Sequence, residues 1–264
     1  AVGASANGVS NGVAVGYNAA GYNSGIAVGA GASGYNSGLA IGRNAQAYGS
    51  TNIAIGTGAN GLWAGTAVGN EANGYANGAG LGAYANAFWY GVAVGLGATG
   101  RDYSVAIGQN AYATNQSVAV GYSADATTYG AAVGNGSQAR NYGASLGYGA
   151  SGTNYGIAIG SDADSSQTNI AVGADADARS GSERIAIGHS VTNTINNSAM
   201  IRGTLYLDGG TNVMVRSPFG TGAWSNLVHG VSETVTVVTN VVWQKQTNSP
   251  FSVTNITVQT DSWI

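Results

Sequence analysis

The chain contains no cysteine, so disulfide bridges and thiolate metal sites are both excluded. Charged residues make up only 7% of the sequence, and Lys245 is the only lysine. The formal net charge is -3, so the basic stripe expected of a nucleic-acid-binding protein is missing. No run of about 18 apolar residues occurs, so no segment is predicted to span a membrane as a helix. Low charge together with 45 glycines would ordinarily indicate disorder, and only a regular pattern argues against it.

A regular pattern is present, because one three-residue phrase recurs fifteen times between Ala1 and Ser198. The phrase consists of a small residue, a branched aliphatic residue and Gly, and the Gly never varies. It begins at positions 1, 14, 27, 40, 54, 67, 80, 93, 106, 119, 132, 145, 158, 171 and 186. The spacing is 13 residues except for one step of 14 and one step of 15. A fixed period of this kind indicates a repeat architecture.

The phrase predicts a short β-strand. A helix is disfavoured because each interior Gly costs about 1 kcal/mol relative to Ala. In Ile157-Ala158-Ile159-Gly160 aliphatic and small residues alternate, so a strand would have one apolar face and one bare face. With the first residue of each phrase as offset zero, a second strand carries Ala or Gly at offsets five and seven, as at Ala111 and Ala113. Two strands and two turns per 13 residues predict one coil of a parallel β-solenoid, and about fifteen coils stacked at ~4.8 Å give a rod on the order of 70 Å long.

The sequence divides into a repeat domain, residues 1–198, and a β-rich cap or assembly region, residues 199–264. Ala199-Met200 imitates the phrase once more, with Ile201 where Gly belongs. The second region contains both prolines and several segments with the composition of strands, so the whole chain is predicted to be all-β. A coil filled with methyl groups buries little apolar area by itself. We therefore expect several rods to associate, through either the aliphatic face or the bare face.

Two consecutive repeats carry a resemblance to a known family. Ser104-Val105-Ala106-Ile107-Gly108, followed by Ala111 and Ala113, and Ser117-Val118-Ala119-Val120-Gly121, followed by Ala124 and Ala126, resemble the head repeats of trimeric autotransporter adhesins of the YadA type. The resemblance covers about residues 1–198. It implies a left-handed parallel β-roll, three chains side by side in a homotrimer, and an extracellular location on a cell or virion surface.

Aromatic residues recur at two offsets and are predicted to form ladders along the rod. Offset eight carries Tyr22, Tyr35, Tyr48, Leu62, Tyr75 and Phe88, offset nine carries Trp63 and Trp89, and offset ten carries Tyr90, Tyr103, Tyr129, Tyr142 and Tyr155. If this segment is extended, offsets eight and ten point the same way. Stacked rings add roughly 0.5–1.5 kcal/mol per pair, so the ladder either stiffens the rod or lies between chains. Alternatively it is a stripe that binds sugars or another surface.

Polar residues also recur at fixed offsets. Asn60, Asn73 and Asn86 share offset six, which predicts stacked amides that hydrogen-bond along the rod. Four aspartates recur at the 13-residue spacing, Asp162 and Asp164 and then Asp175 and Asp177. Adjacent coils would bring these like charges ~4.8 Å apart, so they form either a solvated patch compensated by Arg179 and Arg184 or a calcium site. No other cofactor is expected.

No group of convergent polar residues suggests an enzyme, and neither His189 nor His229 has a suitably spaced nucleophile or ligand in the sequence. We expect a structural and adhesive surface fibre that contacts a host cell, a neighbouring cell or glycans. The alternative is a phage tail-fibre segment that recognises a host surface.

A further expectation concerns assembly. Because Ala1 opens within the phrase, the first coil would leave unpaired strand edges, and such edges invite pairing. Strands that contain Val235, Val237, Ile256 and Val258 are expected to cover this end of the next subunit and so form a head-to-tail filament.

Overall fold

A computed structural model of the chain describes residues 1–202. Over this range the chain forms twenty-nine strands of two to four residues, and no helix, so none of the described segments is a helix that could cross a membrane. Consecutive strands alternate between two parallel sheets, one of 15 strands and one of 14. Each lap of the chain therefore adds one strand to each sheet, and the predicted parallel β-solenoid of about fifteen coils is confirmed.

The sheet that contains the repeated phrase is called sheet A. It comprises β2 (Val13–Val15), β4 (Ile26–Val28), β6 (Leu39–Ile41), β8 (Ile53–Ile55), β10 (Thr66–Val68), β12 (Ala79–Leu81), β14 (Val92–Val94), β16 (Val105–Ile107), β18 (Val118–Val120), β20 (Ala131–Val133), β22 (Ala144–Leu146), β24 (Ile157–Ile159), β26 (Ile170–Val172), β28 (Arg184–Ile187) and β29 (Ser198–Ile201).

The second sheet, sheet B, contains the strand at offsets six to eight of each coil. It comprises β1 (Asn7–Val9), β3 (Ala20–Tyr22), β5 (Ser33–Tyr35), β7 (Gln46–Tyr48), β9 (Asn60–Leu62), β11 (Asn73–Tyr75), β13 (Asn86–Phe88), β15 (Thr99–Arg101), β17 (Tyr112–Thr114), β19 (Asp125–Thr127), β21 (Gln138–Arg140), β23 (Ser151–Thr153), β25 (Asp164–Ser166) and β27 (Asp177–Ala178).

The register between coils follows the sequence repeat. Ala106 of β16 lies opposite Ala119 of β18, and the remaining strand pairs of sheet A connect equivalent positions in the same way. The two irregular steps are absorbed in turns: Leu39 still pairs with Ile53 across the 14-residue step, and Ile170 with Ile185 across the 15-residue step. The extra residues therefore lengthen a turn and leave sheet A continuous at both steps, and sheet B continues across the 14-residue step through β7 and β9.

The space between the two sheets is filled almost entirely by alanine and glycine. Ala119 at offset zero, Ala124 at offset five and Ala126 at offset seven are all completely buried. The aliphatic residues on either side of offset zero point outward instead, and Val118 and Ile107 keep 40% and 41% of their surface exposed. The bare face is thus the interior of the coil, and the aliphatic face is the outer surface of sheet A.

The invariant Gly at offset two has a steric cause, which Gly95 illustrates. Its φ of +133° lies in a region that L side chains rarely adopt. A Cβ atom at this position would lie 2.6 Å from the carbonyl oxygen of Gly108, the equivalent residue in the next coil. A side chain here would therefore push two adjacent coils apart.

The last described strand differs from the sequence interpretation. Met200 of β29 lies opposite Ala186, and Ile201 lies opposite Ile187. The expectation that Ile201 occupies the Gly position is wrong, because Arg202 takes that place and its N–H donates to the Ile187 carbonyl at 2.9 Å. The phrase is therefore repeated one residue later than expected, as Met200-Ile201-Arg202. The predicted assembly residues Val235, Val237, Ile256 and Val258 lie outside the described residues.

Candidate functional site

The aromatic residues lie at the turn that leads from sheet B to sheet A. Offsets nine and ten both have positive φ, for example 46° at Trp89 and 60° at Tyr90. Two consecutive residues of this kind form a tight two-residue reversal. The condition that offsets eight to ten are extended is therefore not met: offset eight ends a strand of sheet B, and offset ten lies within the turn.

The predicted stacking of the rings is confirmed at both offsets. Tyr22 and Tyr35 stack with centroids 4.8 Å apart, and Tyr35 and Tyr48 are 4.7 Å apart. In the turns, Tyr129 and Tyr142 are 4.8 Å apart with an interplanar angle of 10°, and Tyr142 and Tyr155 are 4.9 Å apart with an angle of 3°. Rings this close and this parallel cover each other's faces. These parts of the ladder present mainly ring edges and hydroxyl groups to solvent.

The stack is disrupted where the aromatic residue moves from offset eight to offset ten. One coil carries Phe88-Trp89-Tyr90 in succession. Here Tyr75 and Phe88 are 6.0 Å apart and inclined by 50°, so the rings no longer cover each other. They line an open depression of about 260 Å³ together with Trp89, Arg101 and Asp102. We call this depression, formed by Tyr75, Phe88, Trp89, Arg101 and Asp102, the aromatic cleft.

The charged residues of the aromatic cleft are held by the same stacking register. Arg101 follows Phe88 at offset eight of the next coil, and its guanidinium carbon lies 5.2 Å from the Phe88 ring centroid. This distance is within the range of a cation–π contact. The backbone N–H of Asp102 donates to the Phe88 carbonyl at 3.3 Å, which fixes the turn beside the ring. A cation, a carboxylate and exposed aromatic surface therefore converge on one spot.

The predicted asparagine ladder is also confirmed. The Asn60 side-chain amide donates to Oδ1 of Asn73 at 3.1 Å, and the Asn73 amide donates to Oδ1 of Asn86 at 2.9 Å. Each bond joins neighbouring coils on the outer face of sheet B. The ladder adds side-chain hydrogen bonds parallel to those of the backbone and so stabilises the stack.

The acidic residues divide into two groups. Asp164 and Asp177 lie opposite each other in sheet B, and Arg179 contacts both carboxylates, at 3.2 Å and 2.7 Å respectively. Hydrogen bonding from Arg179 lowers the pKa of Asp177 despite its partial burial. Burial outweighs the same arginine at Asp164 and raises the pKa of that carboxyl. Arg179 thus supplies the predicted charge compensation for Asp164 and Asp177. Asp162 and Asp175 lie instead in the turns that lead from sheet A to sheet B.

Within residues 1–202 no group of three or more His, Asp or Glu side chains is arranged as a metal site. The calcium site therefore remains a prediction. A calcium ion at Asp164 and Asp177 would have to compete with the Arg179 guanidinium, which already contacts both carboxylates.

Arg184 has a different role from the one expected. It is 8% exposed, and its guanidinium donates to Oδ1 of Asn196 at 2.9 Å and 2.7 Å and to the Arg179 carbonyl at 2.8 Å. It contributes least among the causes that lower the pKa of Asp177. Arg184 thus fills the interior of the longest coil with satisfied hydrogen bonds.

One polar group was missed in the sequence. His189 Nδ1 lies 3.0 Å from the Ser190 hydroxyl, and Nε2 lies 3.7 Å from Oδ2 of Asp175 in the preceding coil. The irregular 15-residue step conceals this proximity, since Asp175 and His189 do not share an offset. The His189 side chain is 74% exposed, so the group is solvated and lies outside the aromatic cleft.

Comparisons with protein-family models, curated proteins and solved structures find no match to this chain. The similarity to YadA-type head repeats consequently rests on the repeated phrase and on the parallel coils that the structure shows.

Proposed function

We propose that the chain is a structural and adhesive extracellular fibre whose solenoids associate side by side, as a homotrimer, through the outer face of sheet A. The observation that carries this proposal is the row of outward aliphatic residues along that sheet, which is unbroken at offset one and interrupted only by Thr66 in the row before offset zero. Ile26, Ile107, Val118, Ile157 and Ile187 all keep between 37% and 41% of their surface exposed. No charged residue occupies the two outward positions of any regular coil of sheet A.

The size of this face supports an interface. About fourteen strands at ~4.8 Å, with two outward positions ~7 Å apart, give a face roughly 70 Å long and ~10 Å wide, on the order of 700 Å². The largest apolar patch on a typical monomer is about 300–600 Å². A stable protein interface buries about 800 Å² per partner. The face is therefore large for a free surface and comparable to one side of an interface.

A second copy of the chain is the partner that fits this face best. The face is flat, uncharged and repeated every coil, so two identical rods offer each other matching surfaces along their length. The resemblance to trimeric head repeats favours three copies. Side-by-side rods also present each exposed group of sheet B in several copies, so weak surface contacts add through avidity.

A pair of matched substitutions tests this association. Ile107 of sheet A and Tyr112 of sheet B are each 41% exposed, so a lysine at either position should be equally harmless to an isolated rod. We expect Ile107→Lys to dissociate the oligomer and Tyr112→Lys to leave it intact. Sedimentation equilibrium of the full chain should give three times the 26.1 kDa mass of the chain for wild type and for Tyr112→Lys.

A wild-type protein that sediments as a monomer at tens of micromolar would refute the association, as would an Ile107→Lys variant with unchanged mass. The adhesive part is measured by binding of the labelled chain to intact bacterial and epithelial cells. Loss of avidity should reduce binding of Ile107→Lys by about 10²-fold or more. Absence of wild-type binding to either cell type would contradict adhesion and leave a purely structural fibre.

A further inference from the structure

We propose that the aromatic cleft binds one pyranose ring of a cell-surface polysaccharide. The inference rests on the proposed adhesive function and names its ligand class. Three features of the aromatic cleft support it: the exposed Trp89 ring, a pair of charged groups beside it, and a volume suited to a single ring.

The exposed Trp89 ring distinguishes the aromatic cleft from the closed stacks of the ladder. A sugar ring packs its C–H groups against the face of an aromatic ring, so the face must be free. Tyr142 cannot offer one, because Tyr129 and Tyr155 stack on its two sides at 4.8 Å and 4.9 Å. Trp89, by contrast, is 56% exposed at a turn, and no aromatic ring of the described residues stacks on it. The Phe88 ring is covered by the Arg101 guanidinium and the Tyr75 ring lies 4.7 Å from that of Trp63, so Trp89 supplies the free face.

The charged groups supply the hydrogen bonds that sugar hydroxyls require. Among the described residues, neither Arg101 nor Asp102 forms a salt bridge, whereas Arg140 is paired with Asp125 and Arg179 with Asp177. The guanidinium of Arg101 offers several N–H donors, and the carboxylate of Asp102 accepts. One donor group and one acceptor group beside an aromatic surface match a ring of hydroxyls better than they match an apolar peptide side chain.

The volume of the aromatic cleft limits the size of the ligand. Its 260 Å³ is below the roughly 300–1,000 Å³ of sites that enclose a drug-sized molecule. A single ring of a longer chain fits such an open depression, with the rest of the polysaccharide in solvent. Affinity for one ring is then weak, with a Kd of about 1 mM, and useful adhesion comes from several copies on one fibre.

The test uses the full chain and a fixed panel of soluble hexasaccharides of glucose, N-acetylglucosamine, mannose and galactose. Saturation-transfer NMR detects binding, and titration gives the Kd. At least one member should bind wild type, and Trp89→Ala should weaken that binding at least about tenfold. Trp89→Phe, which keeps an aromatic face, should restore most of it. Tyr142→Ala removes one ring from a closed stack and should leave the Kd unchanged.

Several results would overturn the proposal. The first is that no sugar of the panel binds wild type at about 20 mM. The second is that Trp89→Ala and Tyr142→Ala weaken sugar binding equally. A third is a change of sedimentation mass in Trp89→Ala, which would place this ring between chains. Cell adhesion tests the fibre hypothesis separately. If Trp89→Ala still adheres to cells, the sugar site is not needed for adhesion and the proposal of an adhesive fibre is unaffected.

Discussion

Replacing Gly95 with Ala is expected to separate two neighbouring coils, and its cost can be derived from the geometry. The φ of +133° lies in a region essentially restricted to Gly, and a non-Gly residue held there costs about 1–3 kcal/mol. The new Cβ atom would also lie 2.6 Å from the Gly108 carbonyl oxygen, so the backbone must shift. The shift weakens the bond from the Gly108 N–H to the Val94 carbonyl, now 2.8 Å, at about 1 kcal/mol. The reduced freedom of the unfolded chain offsets about 0.4–1 kcal/mol, so the net cost is about 2 kcal/mol.

Gly136 provides a matched control, because it also has positive φ but has room for a side chain. Its φ is +66°, and no atom lies within 4 Å of a Cβ built there. Alanine in this left-handed conformation costs about 1–2 kcal/mol. The reduced freedom of the unfolded chain offsets about 0.4–1 kcal/mol of that cost. Gly136→Ala should therefore destabilise the solenoid by about 1 kcal/mol or less.

Urea unfolding followed by circular dichroism compares the two variants, and amide hydrogen exchange locates the defect. Gly95→Ala should unfold at clearly lower urea than Gly136→Ala, with exchange accelerated at Gly108 and in adjacent coils. Because contacts in a solenoid are made between neighbouring repeats, opening should be local. Equal unfolding midpoints for the two variants would show that the coils tolerate a side chain at offset two, and the steric reasoning would then be wrong.

Three further predictions concern polar groups. Ser137 and Ser145 occupy positions that are alanine in most coils, and their hydroxyls are buried without a hydrogen-bond partner among the described residues. Replacing either serine with Ala should therefore raise the free energy of unfolding by about 1 kcal/mol. Asp177 has a lowered pKa, so its ionised form stabilises the fold above the ordinary value of 3.8, and this stabilisation disappears as the pH falls through its lower folded value. Asp177→Asn should cost at most about 1 kcal/mol at pH 7, because Arg179 is largely exposed, and this cost should shrink as the pH falls below 3.8. Asp164 has a raised pKa, so its ionisation opposes folding, and Asp164→Asn should be neutral or stabilising at pH 7 by the same measurement.

The sequence was sufficient to predict the coil and its interior of methyl groups, but not which of its faces lies against a neighbouring chain. Alternation in Ile157-Ala158-Ile159 shows which residues share a face, and the usual rule would bury the isoleucines. Packed sheets with large side chains between them lie about 10 Å apart. A lap of 13 residues with tight turns cannot span that distance, so only methyl groups fit and Ala158 is the buried residue. This geometric limit, which no single strand reveals, places the aliphatic face outside.

The candidate site was predictable in part for a similar reason. Equal spacing placed the rings of Tyr129, Tyr142 and Tyr155 in one stack, because residues at one offset must meet in neighbouring coils. The aromatic cleft depends on differences between coils. It forms where Phe88 and Trp89 meet an arginine in the next lap, and where positive φ at Trp89 reverses the chain. The spacing of residues in the sequence predicts neither the chain reversal at Trp89 nor the angle between the Tyr75 and Phe88 rings.

Two of the three irregular laps, those that precede Ala54 and Ala186, distinguish one position along the otherwise uniform repeat from another. A strand that slipped by one whole lap would still bury an alanine against an alanine, so the ordinary coils barely distinguish correct from shifted pairing. Asn52 and Arg184 remove that degeneracy. Asn52 is buried in one lengthened turn and bonds to the Tyr48 carbonyl, and Arg184 is buried at the start of β28, directly after the other lengthened turn, and bonds to the Asn196 side chain. A shifted chain would bury an amide or a guanidinium with nothing to bond. These two irregularities in the repeat therefore favour one pairing register of the strands over registers shifted by a whole lap.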